Sequence, residues 1–198
     1  MHILLSLATF AESASDEALS VFFCRIFSPF GTELRVFPTD ILETAGRLVG
    51  ILRLTGQKIA TAESCTGGLI AGAVTAIPGS SDVFDYGFVT YSNAAKSRSI
   101  GVDATLIENH GAVSAEVARA MAEGVLKTAN SDLAVAVTGI AGPSGGTPEK
   151  PVGLVYIGVA SRNASPRVQR YEFGDIGRAD VRLKSVREAL LLLEKAVE

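Results

Sequence analysis

The sequence predicts a layered α/β fold on three observations. Residues 133–137 and 154–160 are short, almost continuously apolar runs, the segments between the apolar runs show helical spacing, and the C-terminus ends in an amphipathic helix. Apolar runs of this length suit central strands covered on both faces by helices. With 198 residues, 47% of them hydrophobic, the chain can build one sizeable core. The expectation is a single domain at 37–198 preceded by an N-terminal extension at 1–36.

The extension holds Phe10, Phe22, Phe23, Phe27 and Phe30 without a sustained period, and no function follows from it. Residues 3–10 are apolar and small residues follow, but no Lys or Arg precedes them, which argues against a signal peptide. A second reading places the natural start of translation near Val36, which an intact mass of the native protein would test.

From Pro38 onward the pattern becomes regular. Ile41, Ala45, Leu48 and Leu52 share one helical face, and Gly56 suits a helix terminator. Residues 58–62 lean apolar, and Glu63-Ser64-Cys65-Thr66-Gly67-Gly68 leads into a small-residue helix over 69–77: strand, tight turn, helix. β-branched and aromatic residues at 83–90 suit a strand, and Ser92 or Asn93 can cap a short helix carrying Lys96. Glu108-Asn109-His110-Gly111 reads as a helix end. Another helix starts at Ser114, with Glu116 in its first turn and Val117, Met121 and Val125 on one face. Residues 167–173 read as an edge strand. Leu183, Val186, Leu190, Leu193 and Val197 recur at alternating spacings of three and four, the clearest helix of all. Periodicity does not give the strand order or the sense of each pairing.

Composition limits the function classes. Eighteen Lys and Arg against 21 Asp and Glu give a net charge of -3 without a basic run, which argues against a nucleic-acid surface. Cys24 and Cys65 make neither a disulfide framework nor a metal-ligand spacing, and a reducing cytoplasm fits best. No apolar stretch approaches the roughly 20 residues that span a bilayer.

The turn at 63–68 places the Ser64 hydroxyl and the Cys65 thiol at the mouth of a helix, where backbone N–H groups can stabilise an anion. That suits a nucleophile beside an oxyanion hole; it equally suits a plain helix cap with glycines allowing close packing. Cys65 is a chemical rival to Ser64, since a thiolate gains from the same positive field. A serine needs a base. Of the two histidines, His2 lies in the extension and His110 sits at a helix end, a common capping position. Lys96 is the other option, because a desolvated ammonium can lose its proton, although most lysines are solvated surface charges; Tyr91 lies five residues before it. Thr138-Gly139-Ile140-Ala141-Gly142-Pro143-Ser144-Gly145-Gly146 leaves a buried strand with enough glycine for backbone to approach a ligand, but it matches neither phosphate-loop fingerprint. Arg178 and Arg182 lie four apart at the start of the last helix, where the dipole disfavours cations, so either a bound phosphate or pairing with Asp175 or Asp180 would compensate.

Glu63 to Gly68, Thr90-Tyr91-Ser92-Asn93 with Lys96, His110-Gly111-Ala112-Val113-Ser114, Thr138 to Pro143 and Glu149-Lys150-Pro151-Val152-Gly153, in this order, resemble the CinA C-terminal-domain family. The resemblance covers about Phe37 to the C-terminus. It implies a three-layer α/β/α sandwich, usually a homodimer, acting as a nicotinamide-nucleotide amidohydrolase. The implied reaction turns nicotinamide mononucleotide into nicotinate mononucleotide and ammonia, with no metal or other cofactor. By the same resemblance Ser64 attacks the carboxamide, Lys96 assists proton transfer, and Tyr91 orients or polarises the site. Thr66 and Gly67 would hold the oxyanion, Thr138 and Gly139 would contact substrate, and Arg182, with Arg178, would hold phosphate. Where the family often has Gly-Asp-Arg before the last helix, this chain has Gly174-Asp175-Ile176-Gly177-Arg178. The alternatives are a noncatalytic nucleotide-binding module or a partner protein linked to competence or DNA repair, with no direct contact to nucleic acid or membrane.

Overall fold

A computed structural model describes residues 36–197. The readings offered for the N-terminal extension lie outside these residues. Phe37–Glu198 forms one compact unit.

Helix α1 (Thr39–Thr55) buries Ile41, Ala45, Leu48 and Leu52 and stops at Gly56, whose left-handed φ of 66° lets its N–H return to the Leu52 carbonyl oxygen. It is followed by β1 (Ile59–Glu63), α2 (Leu69–Thr75), a single 3-10 turn, β2 (Phe84–Val89), α3 (Asn93–Ile100), α4 (Ala104–His110) and α5 (Ala115–Ala129). Strands β3 (Leu133–Gly139), β4 (Leu154–Ser161) and β5 (Ala164–Glu172) come next, then α6 (Arg178–Val197). Side-chain caps set the helix starts: the Ser92, Asp103 and Ser114 oxygens accept from Ala95, Thr105 and Val117 N–H.

The strands form one sheet in the order β2-β1-β3-β4-β5. β2, β1 and β3 run parallel, whereas β4 and β5 run antiparallel to their neighbours. The expected edge strand is β5, beginning three residues earlier than the sequence indicated because Ala164 already pairs with Ser161 across a tight hairpin.

Helices cover both faces of the sheet, which makes the fold three-layered, and the two faces differ in side-chain size. Along β3, Leu133, Val135 and Val137 point toward α1, α2 and α6, while Ala134 and Ala136 point toward α5. Each fully buried large aliphatic side chain contributes about 1.5–3 kcal/mol relative to exposure. On the alanine face α5 comes close enough that a Cβ on Gly158 of β4 would lie 2.5 Å from the Ala118 carbonyl oxygen. Among the described residues no helix is long and apolar enough to cross a membrane.

Candidate active site

β1 and β2 end level with each other, and β3 runs on two residues past them to Gly139. Glu63 lies opposite both Val89 of β2 and Val137 of β3, so the residues that follow each strand share one rim. Ligands of open α/β sheets bind outside the carboxyl ends of such strands. Here the rim holds a cavity of about 270 Å³, lined among others by Ser64, Tyr91, Lys96, Thr138, Gly139 and Arg178.

Ser64 is placed by the sheet itself. Its N–H donates to the Val137 carbonyl oxygen at 3.0 Å, extending the ladder one residue beyond β1. The chain then turns through Gly67 and Gly68, both in the left-handed region, before α2 begins. The Glu63 carboxylate, only 1% exposed, folds back over this turn and accepts from Gly68 N–H (3.0 Å), Ile70 N–H (3.0 Å) and Ala71 N–H (2.8 Å). The helix mouth expected to stabilise an anion is thus filled by the chain's own carboxylate.

Lys96 approaches from α3. Its Nζ donates to the Thr90 carbonyl oxygen at 2.9 Å and lies 3.1 Å from Ser64 Oγ, with 1% of the residue exposed. Burial without a carboxylate partner among the described residues lowers its pKa from the ordinary 10.5. The reading of Lys96 as a solvated surface charge is therefore overturned: it is among the most buried side chains of the fold.

The rivals separate on the same grounds. Cys65 points into the core, and burial pushes its thiol up to about 12, so it is protonated at neutral pH. His110 ends α4, as expected of its sequence context, with Nδ1 3.7 Å from Glu116 Oε1 and its ring away from the cavity lining.

The two arginines differ from each other. Arg178 lines the cavity; its Nη1 donates to the Gly142 carbonyl oxygen (2.9 Å) and its Nη2 to the Tyr91 hydroxyl (2.9 Å), rather than to Asp175 or Asp180. Arg182 does not line it. Its Nε donates to the Cys65 carbonyl oxygen (3.1 Å) and its Nη2 to that of Thr66 (2.8 Å), so both groups are engaged by the Ser64 turn. Gly67 N–H closes on the Ser64 carbonyl oxygen at 3.1 Å, whereas Thr66 N–H finds no acceptor among the described residues. The Thr66 hydroxyl is buried without a hydrogen bond. Thr138 Oγ1 donates to the Ala112 carbonyl oxygen at 2.8 Å.

A family sequence profile for the CinA C-terminal domain matches residues 42–197. The chain belongs to this family. A CinA-like protein of Citrifermentans bemidjiense is 57% identical over 144 residues, covering 72% of this chain and 34% of that protein. A CinA-like protein of Anaeromyxobacter sp. is 47% identical over 173 residues, covering 87% and 41%. The chain thus spans about a third to two-fifths of the length of these CinA-like relatives. Among solved structures, the competence/damage inducible protein CihA from Agrobacterium tumefaciens superposes with a TM-score of 0.82 at 48% identity, covering 83% of this chain and all of that one. The five-stranded α/β architecture is that of the CinA family.

Two contributors to the CinA site escaped sequence reasoning. Glu63 was part of the motif without a role, although a buried acid just before a small-residue helix is a recognisable cap. Lys150 also lay in a motif; its Nζ donates to the His110 (2.7 Å) and Val113 (2.8 Å) carbonyl oxygens and so fastens the Ala112–Val113 wall of the cavity.

Proposed function

We propose that the chain is a serine amidohydrolase that converts nicotinamide mononucleotide and water into nicotinate mononucleotide and ammonia. The observation that carries this reading is the buried Lys96 Nζ, 3.1 Å from Ser64 Oγ and held by the Thr90 carbonyl. A neutral amine has two N–H donors and one lone pair. One donor satisfies Thr90, and the lone pair is available to the Ser64 hydroxyl proton, within the 2.6–3.2 Å range that proton transfer needs. Family resemblance supplies the substrate.

In the first half-reaction the Ser64 proton passes to Lys96 as Oγ bonds to the carboxamide carbon and the carbonyl π pair moves onto oxygen. The carbon–nitrogen bond then breaks, and the Lys96 ammonium returns the proton to the leaving nitrogen as ammonia forms. Water next attacks the resulting ester, giving one proton to Lys96; the ester carbon–oxygen bond breaks and that proton restores the Ser64 hydroxyl. Thr66 N–H, which finds no acceptor among the described residues, is a backbone donor of the turn for the oxyanion. Thr138 and Gly139 form wall, and Tyr91 orients Arg178. Arg178 uses two of its five donors on the protein, leaving the others for a phosphate. The same resemblance carries a homodimer, which sedimentation tests.

Purified wild type and Ser64→Ala are compared for ammonia release from nicotinamide mononucleotide with chelator present. Release by the wild type alone supports the reading. Nucleotide binding without release moves the assignment to a noncatalytic binding module; neither binding nor release removes this substrate.

A further inference from the structure

We infer that Glu63 and Arg182 are a pair of positioning residues that hold the nucleophile turn from opposite sides, and that Arg182 is not a phosphate ligand. The inference rests on Ser64 being the nucleophile. The turn is five residues long, contains two consecutive left-handed glycines, and joins a strand to a helix of only seven residues. Such a short helix contributes little order of its own. What fixes the turn is its polar surroundings. The Glu63 carboxylate takes the Gly68 N–H at the end of the turn and the Ile70 and Ala71 N–H groups at the start of α2, and the Arg182 guanidinium takes two carbonyl oxygens of the turn, at Cys65 and Thr66.

Both holds are built into the packing. Glu63 is the last residue of β1, fixed by strands on either side, and Arg182 projects from α6, the longest helix among the described residues, onto the Cys65 and Thr66 carbonyl oxygens. A Cβ on Gly67 would stand 3.3 Å from Arg182 Nη2, so the guanidinium lies directly against the turn. Drawing the Cys65 and Thr66 carbonyls toward Arg182 fixes the intervening peptide plane, and with it the Thr66 N–H. Arg178, one helical turn earlier, reaches the cavity instead. The two arginines therefore divide the work that the sequence assigned jointly: Arg178 meets the ligand, and Arg182 shapes the turn.

The test compares Arg182→Met, Arg182→Lys, Glu63→Gln and wild type in two assays, with folding checked by thermal melting. In ammonia release, loss of positioning lowers kcat by about a hundredfold, the cost of a misplacement near 1 Å, and leaves KM within about twofold. Arg182→Lys recovers part of the loss. The second assay is the rate at which a fluorophosphonate labels Ser64, which needs no nucleotide; the variants label more slowly by a similar factor. A raised KM with kcat retained in Arg182→Met overturns the inference and returns Arg182 to the phosphate. Wild type that is labelled but releases no ammonia, with variants labelled slowly, upholds the inference and removes the substrate reading. Variants that label as fast as wild type, or a wild type that is not labelled at all, overturn it. Should Glu63→Gln fail to fold, the Arg182 pair decides alone.

Discussion

Replacing Lys96 by Met keeps most of the side-chain volume and removes the amine that lies 3.1 Å from Ser64 Oγ. A positioned general base contributes about 10²–10⁴-fold, or about 3–5 kcal/mol of barrier, and turnover should fall by that much. The pH profile carries more information. A lysine at its ordinary 10.5 is neutral in about one molecule in a thousand at pH 7.5. Burial lowers the Lys96 pKa, so wild-type kcat/KM should climb with pH and reach its plateau below 10.5. A rate still rising tenfold per pH unit up to 10.5, or Lys96→Met retaining turnover within threefold of wild type, would refute the assignment.

Stability gives an independent check with a definite sign. In the window between the lowered folded pKa and 10.5 the unfolded chain holds more protons at Lys96 than the folded one, so the Lys96 contribution to stability rises with pH there. Below that window the cost of burying the ammonium is fully present. Lys96→Met lacks this titration, so across the window the wild-type curve should slope upward relative to that of the variant, the downward pull of Cys65, whose thiol is raised to about 12, being common to both. The substitution also deprives the buried Thr90 carbonyl of its donor, at about 1–3 kcal/mol, which partly offsets the relief. Urea denaturation at stepped pH measures the difference in slope, which that fixed cost does not change.

Three further expectations follow from particular contacts. Ser64→Ala should abolish ammonia release while Cys65→Ala keeps most of it, and iodoacetamide should leave native Cys65 unmodified at pH 8, because its thiol ionises only near 12. Arg178→Met should raise KM for the nucleotide by about tenfold or more, the worth of a charge-assisted hydrogen bond, with a smaller change in kcat; titration calorimetry should show the same loss. Gly158→Ala should destabilise the fold by about 1–3 kcal/mol by overpacking, since its Cβ would meet the Ala118 backbone oxygen at 2.5 Å; a lower urea midpoint with kcat unchanged is the expected pattern.

Elements that depend on local periodicity and capping were legible in the sequence. Ile41, Ala45, Leu48 and Leu52 marked α1, Gly56 its end and Ser114 the start of α5, because each signal lies within one or two turns of the residues it governs. The strand order was not legible, since it depends on pairing between segments dozens of residues apart. The same distinction applies to the site. Ser64 was visible because its turn chemistry is local, and Lys96 was only one option until the fold brought its Nζ to Ser64 Oγ across 32 residues of sequence. Arg182 shows the limit most clearly. Its place at the start of an amphipathic helix fits an anion ligand equally well, and only the three-dimensional approach of α6 to the Cys65 and Thr66 carbonyls separates the two roles.

The position of the site also follows from how the chain leaves the sheet. β1 and β2 are joined by α2 on the large-side-chain face, whereas the chain from β2 to β3 runs through α3, α4 and α5 on the alanine face. After β3 it turns back antiparallel into β4. The segments leaving β1 and β2 at the rim therefore head toward opposite layers, and the glycine-rich loop after β3 bounds the opening between them. Into that opening the alanine face delivers Lys96. Small side chains on this face let α5 lie close to the sheet, and the short α3 packs against α5, so the lysine reaches Ser64 with its side chain enclosed. Larger residues at Ala60 or Ala62 would crowd this layer and shift Lys96 relative to Ser64. Ala62→Val should therefore slow turnover more than it raises KM, although residue 62 touches no substrate; equal kcat in the two proteins would break the link between the thin layer and the lysine.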